Sequence, residues 1–244
     1  MKILETHSLQ KHFDGVHAVD HLSIAFEAGQ ITSVIGPNGS GKSTLMNTLT
    51  GVLPMDGGVV VIDKTTRLSA IKPHEIAAYK ITRTFQEVRL FEQMPVLDNI
   101  LVVLTERNVA SAFFEKHKDF HLKKAEEILK KVNLWEKRSE LAANLSYGQR
   151  KLLEIARTVA MDAEIYLYDE PFAGLFPEMI KVVVSIMKEL REKGKTIILI
   201  EHNMDLIREL SDYVFVLDSG KLLAEGKPEE VLARKEVIEA YLGE

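Results

Sequence analysis

The stretch Gly36-Pro37-Asn38-Gly39-Ser40-Gly41-Lys42-Ser43-Thr44 decides how this chain folds. An apolar run at residues 31–35 precedes it and another at 45–49 follows it, which predicts a strand, a loop and a helix. Glycines permit tight curvature, and the N–H groups of such a loop and helix start converge where an anion can sit. The alternative is a glycine-rich turn that only caps a helix, with Lys42 in solvent. We predict a phosphate-binding loop in which Lys42 reaches the terminal phosphates and the Ser43 hydroxyl faces magnesium.

Composition bounds the class of protein. The chain has 244 residues, 46% of them hydrophobic, and no cysteine. It can therefore bury a sizeable core but can form neither disulfides nor thiolate metal sites. Residues 1–7 lack the apolar core of a signal peptide, and no run approaches the ~18 apolar residues that span a bilayer. We expect a globular chain on the cytosolic side of a membrane.

The charge gives no reason to expect nucleic-acid binding. The net charge is −5 and the pI is near 6.0, whereas nucleic-acid recognition usually shows as a basic domain or stripe. The lysines of residues 116–138 are interleaved with aspartate and glutamate, which favours a solvated helix face.

Short apolar runs alternate with helical patterns along most of the chain. The runs at 59–62, 165–168, 196–200 and 213–217 predict strands, and 177–193, 204–210 and 228–241 predict helices. This alternation is typical of a largely parallel sheet covered on both faces. Between about residues 92 and 157 no strand pattern occurs, and apolar residues at 122–132 have helical spacing. We predict a helical insertion there.

Two adjacent carboxylates, Asp169 and Glu170, end one predicted strand. Ligands collect at the carboxyl ends of parallel strands, so both should face the crevice of the phosphate loop. One carboxylate can hold magnesium, and the other can orient or deprotonate an attacking water. A helix cap is the simpler interpretation of an acidic pair, but the nearby phosphate loop favours the chemical one.

A second candidate anion site lies at residues 145–149, before the helical pattern at 150–160. Ser146 is a good helix N-cap, and the free N–H groups there, together with Gly148, could hold an anion. A capped helix without a ligand is the other interpretation.

Taken together, these residues resemble the nucleotide-binding subunit of ABC transporters over essentially the whole chain. The motifs follow the family's order: the Walker A loop at 36–43, Gln86 of the Q-loop, the signature at 145–149, Walker B at 165–169, the catalytic Glu170 and the switch histidine His202. The resemblance implies an α/β fold with a P-loop NTPase (RecA-like) core, a mostly parallel sheet, an N-terminal antiparallel β part and an inserted α-helical subdomain. It implies a single ATPase domain at 1–244, with a nucleotide-binding core at 1–91 and 158–244 and a helical subdomain at 92–157 that carries the signature.

The resemblance also assigns the site residues for ATP and Mg²⁺. The nucleotide would be held by Phe13, stacked on adenine, and by Gly36, Pro37, Asn38, Gly39, Ser40, Gly41, Lys42, Ser43 and Thr44. The metal would be held by Ser43, Gln86 and Asp169, and the catalytic residues would be Glu170, His202 and Lys42. In a head-to-tail dimer, the partner's ATP site would be completed by Ser146, Tyr147, Gly148 and Gln149.

Two positions depart from the family pattern. Phe176 stands where the D-loop after Walker B usually has an acidic or amide residue, and Tyr147 replaces the commoner glycine of the signature. The change at Phe176 bears on communication between two ATP sites and leaves the prediction of ATP binding intact.

Within the family, residues 81–86, 89–91, 94–99, 223–226 and 240–244 look most like subunits of branched-chain amino acid importers. Urea, amide and lipopolysaccharide transport relatives are the alternatives. The implied partners are a second ATPase chain (a copy or a paralogue), two membrane-spanning permease subunits and, indirectly, an extracytoplasmic solute-binding protein. The implied location is peripheral, on the cytoplasmic face of the cell membrane.

Two other classes remain as rivals. A soluble ABC ATPase acting on DNA or ribosomes usually carries a long coiled-coil insertion or two nucleotide-binding units, and neither is present. A purely regulatory nucleotide-binding subunit is disfavoured because Glu170 and His202 are both retained.

Overall fold

The computed structural model describes residues 1–104 and 116–242, in which the chain divides into two compact units. The first unit comprises Met1–Thr82, Glu164–Glu170 and Lys188–Glu244, and the second comprises Arg83–Ala163 and Pro171–Met187. Part of the predicted helical insertion, residues 105–115, and the last two residues of the chain lie outside the described residues.

An antiparallel sheet forms one part of the first unit. Its strands are β1 (Lys2–Phe13), β2 (Val16–Leu22), β3 (Ala25–Glu27), β5 (Gly57–Ile62) and β6 (Thr66–Leu68), in the order β2-β1-β5-β6 with β3 also beside β1. The run at 59–62, which the sequence pattern grouped with the parallel strands, pairs here instead with β1. The two-residue turn Asp14-Gly15 has φ of 44° and 91°, as tight hairpin turns require.

A six-stranded sheet forms the other part. Its strands are β4 (Ile31–Ile35), β7 (Ile81–Arg83), β8 (Ile165–Asp169), β9 (Thr196–Ile200), β10 (Tyr213–Asp218) and β11 (Lys221–Gly226), in the order β11-β10-β4-β9-β8-β7. The pairs β10/β4, β4/β9 and β9/β8 are parallel, and β11 is antiparallel to β10. Every residue of β4, β8 and β9 is buried, which explains their unbroken apolar sequence.

Helix α1 (Lys42–Leu49) joins the two sheets through one hydrophobic cluster. Leu45 and Leu49 of α1 are fully buried in this cluster with residues of both sheets. Among these, Phe26 of β3 and Phe215 of β10 meet edge to face, with ring centroids 5.4 Å apart. The loop before α1 is therefore fixed at the carboxyl end of β4.

Helices α6 (Met204–Leu210), α7 (Pro228–Val231) and α8 (Lys235–Leu242) complete the first unit. They share a second buried cluster with β4, β10 and β11, formed by Ile35, Ile207, Val214, Val216, Ala224, Val231 and Val237. The helical prediction for residues 228–241 is confirmed, as the two short helices α7 and α8.

The second unit is helical. It contains α2 (Val96–Leu104), α3 (Lys116–Lys131), α4 (Tyr147–Ala160) and the first turns of α5 (Pro177–Glu192). Helices α2, α3 and α4 pack on one another and bury Ile100, Leu129 and Leu153. Leu122, although it has the spacing of the apolar face, is 42% exposed.

Trp135, the only tryptophan of the chain, follows α3, where its size and apolar ring predict packing in the core of this unit; it is only half-buried and has the Arg138 guanidinium 4.7 Å from its ring centroid. Leu134 is the residue buried there.

Among the described residues, no helix combines the length and the apolarity that crossing a bilayer requires.

Candidate functional site

The phosphate loop is closed on one side and open on the other. Gly36 and Gly41 have φ of 147° and 100°, and a Cβ on them would lie 2.0 Å from the Leu217 carbonyl oxygen and 2.1 Å from that of Ala18. Only glycine fits both positions. A Cβ on Gly39 would meet nothing within 4 Å, so the loop has free space on that side.

Lys42 lies inside the loop. Its Nζ donates to the carbonyl oxygens of Gly36 and Pro37 at 2.8 Å each and to the Ser40 hydroxyl at 3.4 Å. The side chain is 6% exposed, so the alternative of a solvated Lys42 is wrong.

The start of α1 adds further donors to the loop. The N-cap, Gly41, has no side chain that could accept from the first N–H groups of the helix. The ammonium of Lys42 and these N–H groups together make the loop a site for an anion.

The acidic pair lies at the same edge of the parallel sheet. Asp169 pairs with Ile200 and Ile200 with Val34, so Asp169 stands two strands from the end of β4, about 10 Å across the sheet. Asp169 is buried, and Glu170 has φ of 47°, a left-handed conformation that is costly for glutamate. The next helix begins only at Pro177, so the pair caps no helix.

Glu170 and His202 are in direct contact. Glu170 Oε1 and His202 Nε2 are 2.8 Å apart, and the Glu170 N–H donates to the Ile200 carbonyl oxygen at 3.0 Å. The cap of α6 is Asn203, which accepts from the N–H groups of Asp205 and Leu206. His202, which follows β9 just before this helix, therefore does not cap it.

Glu201 adds a third carboxyl that belongs to none of the predicted motifs. It is 6% exposed, and its Oε2 has no hydrogen-bond partner among the described residues. Burial raises its pKa, although N–H groups of Asn203 and His202 oppose the shift.

Phe13 stands at the tip of the β1–β2 hairpin and is 43% exposed. The Lys11 ammonium lies 5.3 Å from its ring centroid and is held by Asp56 at 2.9 Å. An exposed ring with a cation beside it can stack on another flat ring. The contact of Phe13 with adenine stays a prediction.

In the second unit, the segment around Gln86 is anchored to α4. Glu154 Oε1 accepts from the N–H groups of Phe85 and Arg89, at 3.4 and 3.2 Å. Arg157 donates to the Arg89 carbonyl oxygen at 2.6 Å. Burial raises the pKa of Glu154, against these N–H groups and the nearby Arg157. Gln86, exposed between the two anchored residues, is thus presented by a backbone that α4 holds.

The Phe85 ring strengthens this anchor. It is flanked by two guanidinium groups, that of Arg83 at 4.4 Å and that of Arg89 at 4.0 Å from its centroid. Glu154 and Arg157 lie more than 60 residues from the segment they hold. No local pattern in the sequence could therefore have identified them.

The signature begins α4 with a reciprocal cap. The Ser146 hydroxyl accepts from the Gln149 N–H at 3.3 Å, and the Gln149 side chain accepts from the Ser146 N–H at 3.1 Å. The predicted N-cap is confirmed. The part of Gln149 in this cap was not predicted, although the spacing Ser-x-x-Gln is the sequence signal for a reciprocal cap.

Tyr147 packs on the D-loop. A Cβ on Gly174, where φ is 73°, would lie 2.8 Å from Cε1 of the Tyr147 ring. A Cβ on Gly148 would likewise lie 2.6 Å from the sulfur of Met179 on α5. Phe176, the other departure from the family pattern, is 70% exposed. The two unusual aromatic residues thus differ in degree: Tyr147 is 47% exposed but contacts the D-loop, whereas Phe176 is mostly in solvent.

The fold and the loop define a nucleotide-binding protein of the phosphate-loop class. A family model described as "ABC transporter" matches residues 19–173, and one described as "Branched-chain amino acid ATP-binding cassette transporter" matches 221–244. The chain belongs to the ABC transporter family. The predicted fold class and the family resemblance are confirmed.

Similar curated proteins cover the chain from end to end. The "Probable branched-chain amino acid transport ATP-binding protein LivG" of Archaeoglobus fulgidus is 37% identical, over 100% of this chain and 96% of its own. The "High-affinity branched-chain amino acid transport ATP-binding protein LivG" of Salmonella typhimurium is 38% identical, over 99% and 98%. Among solved structures, a nucleotide-free ATP-binding cassette from an ABC transporter superposes with a TM-score of 0.86 at 34% identity, covering 100% of both chains.

Proposed function

We propose that this chain is the ATP-hydrolysing subunit of an importer for branched-chain amino acids. The observation that carries the proposal is the Glu170–His202 contact at 2.8 Å, at the sheet edge where the Lys42 loop lies. A carboxylate and an imidazole beside an anion site are the groups that water activation next to a phosphate needs. The solute is supported by the names of the relatives.

ATP binding would use the groups already gathered at the loop. Lys42 would exchange the two carbonyl oxygens that hold its ammonium for oxygens of the β- and γ-phosphates. Residues 36–44 would surround the phosphates, with the open side at Gly39. Phe13 would stack on adenine with its exposed ring.

Ser43 and Asp169 fit a Mg²⁺ site, and we propose that Gln86 joins them. Ser43 is exposed on the first turn of α1, Asp169 is a buried carboxylate at the sheet edge, and all three supply the oxygen that Mg²⁺ prefers. Among the described residues no three His, Asp or Glu side chains form a metal cluster, so phosphate oxygens and water would complete the shell. Bound there, the ion would neutralise charge on the phosphates.

Hydrolysis would require Glu170 and His202 to change partners. Glu170 would turn from the imidazole to a water molecule, which it would position or deprotonate for in-line attack on the γ-phosphate. His202, once released, would donate towards the γ-phosphate. Lys42 and His202 would then stabilise the charge that develops in the transition state.

We propose a head-to-tail dimer, in which residues 146–149 complete the ATP site of a second subunit. The start of α4 suits this role, because an N-terminal helix turn favours an anion. Two permease subunits would dock on a surface that includes residues 89–94 and the helical subdomain at 92–157, and ATP-driven closure of the dimer would move them. The nucleotide-binding core would be residues 1–91 and 158–244. The chain would then lie peripherally on the cytoplasmic face of the membrane.

Docking is tested by crosslinking from a single thiol, since the chain has no cysteine. Phe91 is 45% exposed, with the Arg157 guanidinium 5.0 Å from its ring centroid. In native membranes, Phe91→Cys should crosslink to a multi-spanning membrane protein. Ile238→Cys is the matched control, because Ile238 on α8 is also 45% exposed. Crosslinks from Phe91→Cys to soluble proteins alone would contradict the docking model.

A further inference from the structure

The C-terminal helix α8 touches the phosphate loop through one side chain. The N–H of Gly36, the first residue of the loop, donates to the Tyr241 hydroxyl oxygen at 2.7 Å. Tyr241 is more than 200 residues away along the chain, and nothing in the phosphate-loop pattern requires it. This contact therefore adds to the loop a partner from outside its own motif.

Gly36 is the point where several constraints on the loop meet. Its carbonyl oxygen accepts from Lys42 Nζ at 2.8 Å, while its N–H is taken by Tyr241. Its φ of 147° and the Leu217 carbonyl oxygen, 2.0 Å from a hypothetical Cβ, leave it little freedom. Gly36 is buried, so its N–H would lack an acceptor if the tyrosine hydroxyl were lost.

The helix that carries Tyr241 is well supported. Its ring packs against the apolar cluster that α6, α7 and α8 share with β4, β10 and β11, which includes Ile35 and Val237. Arg234, just before α8, donates to the Glu225 carbonyl oxygen at 3.1 Å. The packed ring thus holds the Tyr241 hydroxyl in place, so that it can restrain the loop.

We propose that Tyr241 is a positioning residue of the nucleotide site, which makes α8 a structural part of that site. The proposal rests on the proposed function, because it assumes that the loop binds nucleotide phosphates. Tyr241 touches no phosphate in this scheme. It fixes the Ile35–Gly36 peptide, and so the position of Gly36, whose carbonyl oxygen holds the Lys42 ammonium before it moves to the phosphates.

The test is Tyr241→Phe in the full chain, which removes one oxygen and keeps the ring that packs. We expect the Kd for ADP, measured by calorimetry with Mg²⁺, to rise about three- to tenfold, the range for one net hydrogen bond. The KM for ATP should rise in parallel, with kcat within about twofold of wild type. The matched control is Tyr213→Phe. Tyr213 begins β10, whose other end, at Leu217, lies beside Gly36, so this change is remote from the loop.

Hydrogen exchange separates positioning from a packing defect. In the nucleotide-free protein, Tyr241→Phe should speed exchange of the Gly36 amide and leave β10 and β11 unchanged. A Kd within twofold of wild type, an equal loss in Tyr213→Phe, or faster exchange across β10 and β11 would each overturn the proposal. If wild type binds no ADP or ATP, the proposed function falls and this inference with it. Normal wild-type binding with an unchanged Tyr241→Phe overturns the inference alone.

Discussion

Glu170→Gln should bind ATP with nearly wild-type affinity and release phosphate at least about a hundredfold more slowly. A positioned general base contributes roughly 10²- to 10⁴-fold to a rate, and an amide cannot take the proton or hold the water equally well. Binding should survive because glutamine has the same shape and can still bond to His202, which lies 2.8 Å from the carboxylate. Phosphate release and ATP binding are measured on the same preparation.

The control for this variant is Glu192→Gln, the same change at an exposed position near the end of α5. It should hydrolyse ATP at the wild-type rate. Wild-type turnover by Glu170→Gln, in a preparation free of contaminating ATPases, would remove Glu170 from the mechanism.

Lys42→Ala should weaken nucleotide binding about ten- to a hundredfold and reduce turnover as well. A hydrogen bond to a charged group is worth about 1.5–3 kcal/mol, and this ammonium would serve two phosphates. The loop also loses its internal brace, because Nζ bridges the carbonyl oxygens of Gly36 and Pro37. Calorimetry with ADP and steady-state hydrolysis report the two losses separately.

Lys193→Ala is the corresponding control, since this lysine is exposed and forms an ion pair with Glu189 on the solvent side of α5. If Lys42→Ala binds ADP as tightly as this control, the loop does not bind phosphate through Lys42. The proposed nucleotide site would then be wrong in its main phosphate-binding residue.

The sequence predicts those parts of the fold whose signal is local. The strands β8 and β9 are buried on both faces, so their apolar runs stand out, and the Ser146 cap precedes its helix directly. Strand β1 is harder to predict, because buried and exposed residues alternate irregularly along it. Ser8 within β1 has φ of 47°, and the pairings of β1 with β2, β3 and β5 all shift register.

The site shows the same division. The residues of the phosphate loop and the end of β8 follow from short motifs, because their chemistry needs fixed spacing. Glu154 and Tyr241 act through contacts across about 70 and 205 residues, which only the fold brings together. Glu201 is adjacent to His202 in sequence, yet its burial and its raised pKa follow from the fold, which spacing does not reveal.

The central claim is that this chain drives a membrane transporter with ATP. The most direct measurement is affinity purification of Glu170→Gln, with ATP and Mg²⁺, from detergent-solubilised native membranes, followed by mass spectrometry of what is recovered. We expect two multi-spanning proteins, with or without a second ATPase chain. Recovery of only cytosolic proteins from a well-solubilised membrane fraction would contradict the claim and favour a soluble ATPase.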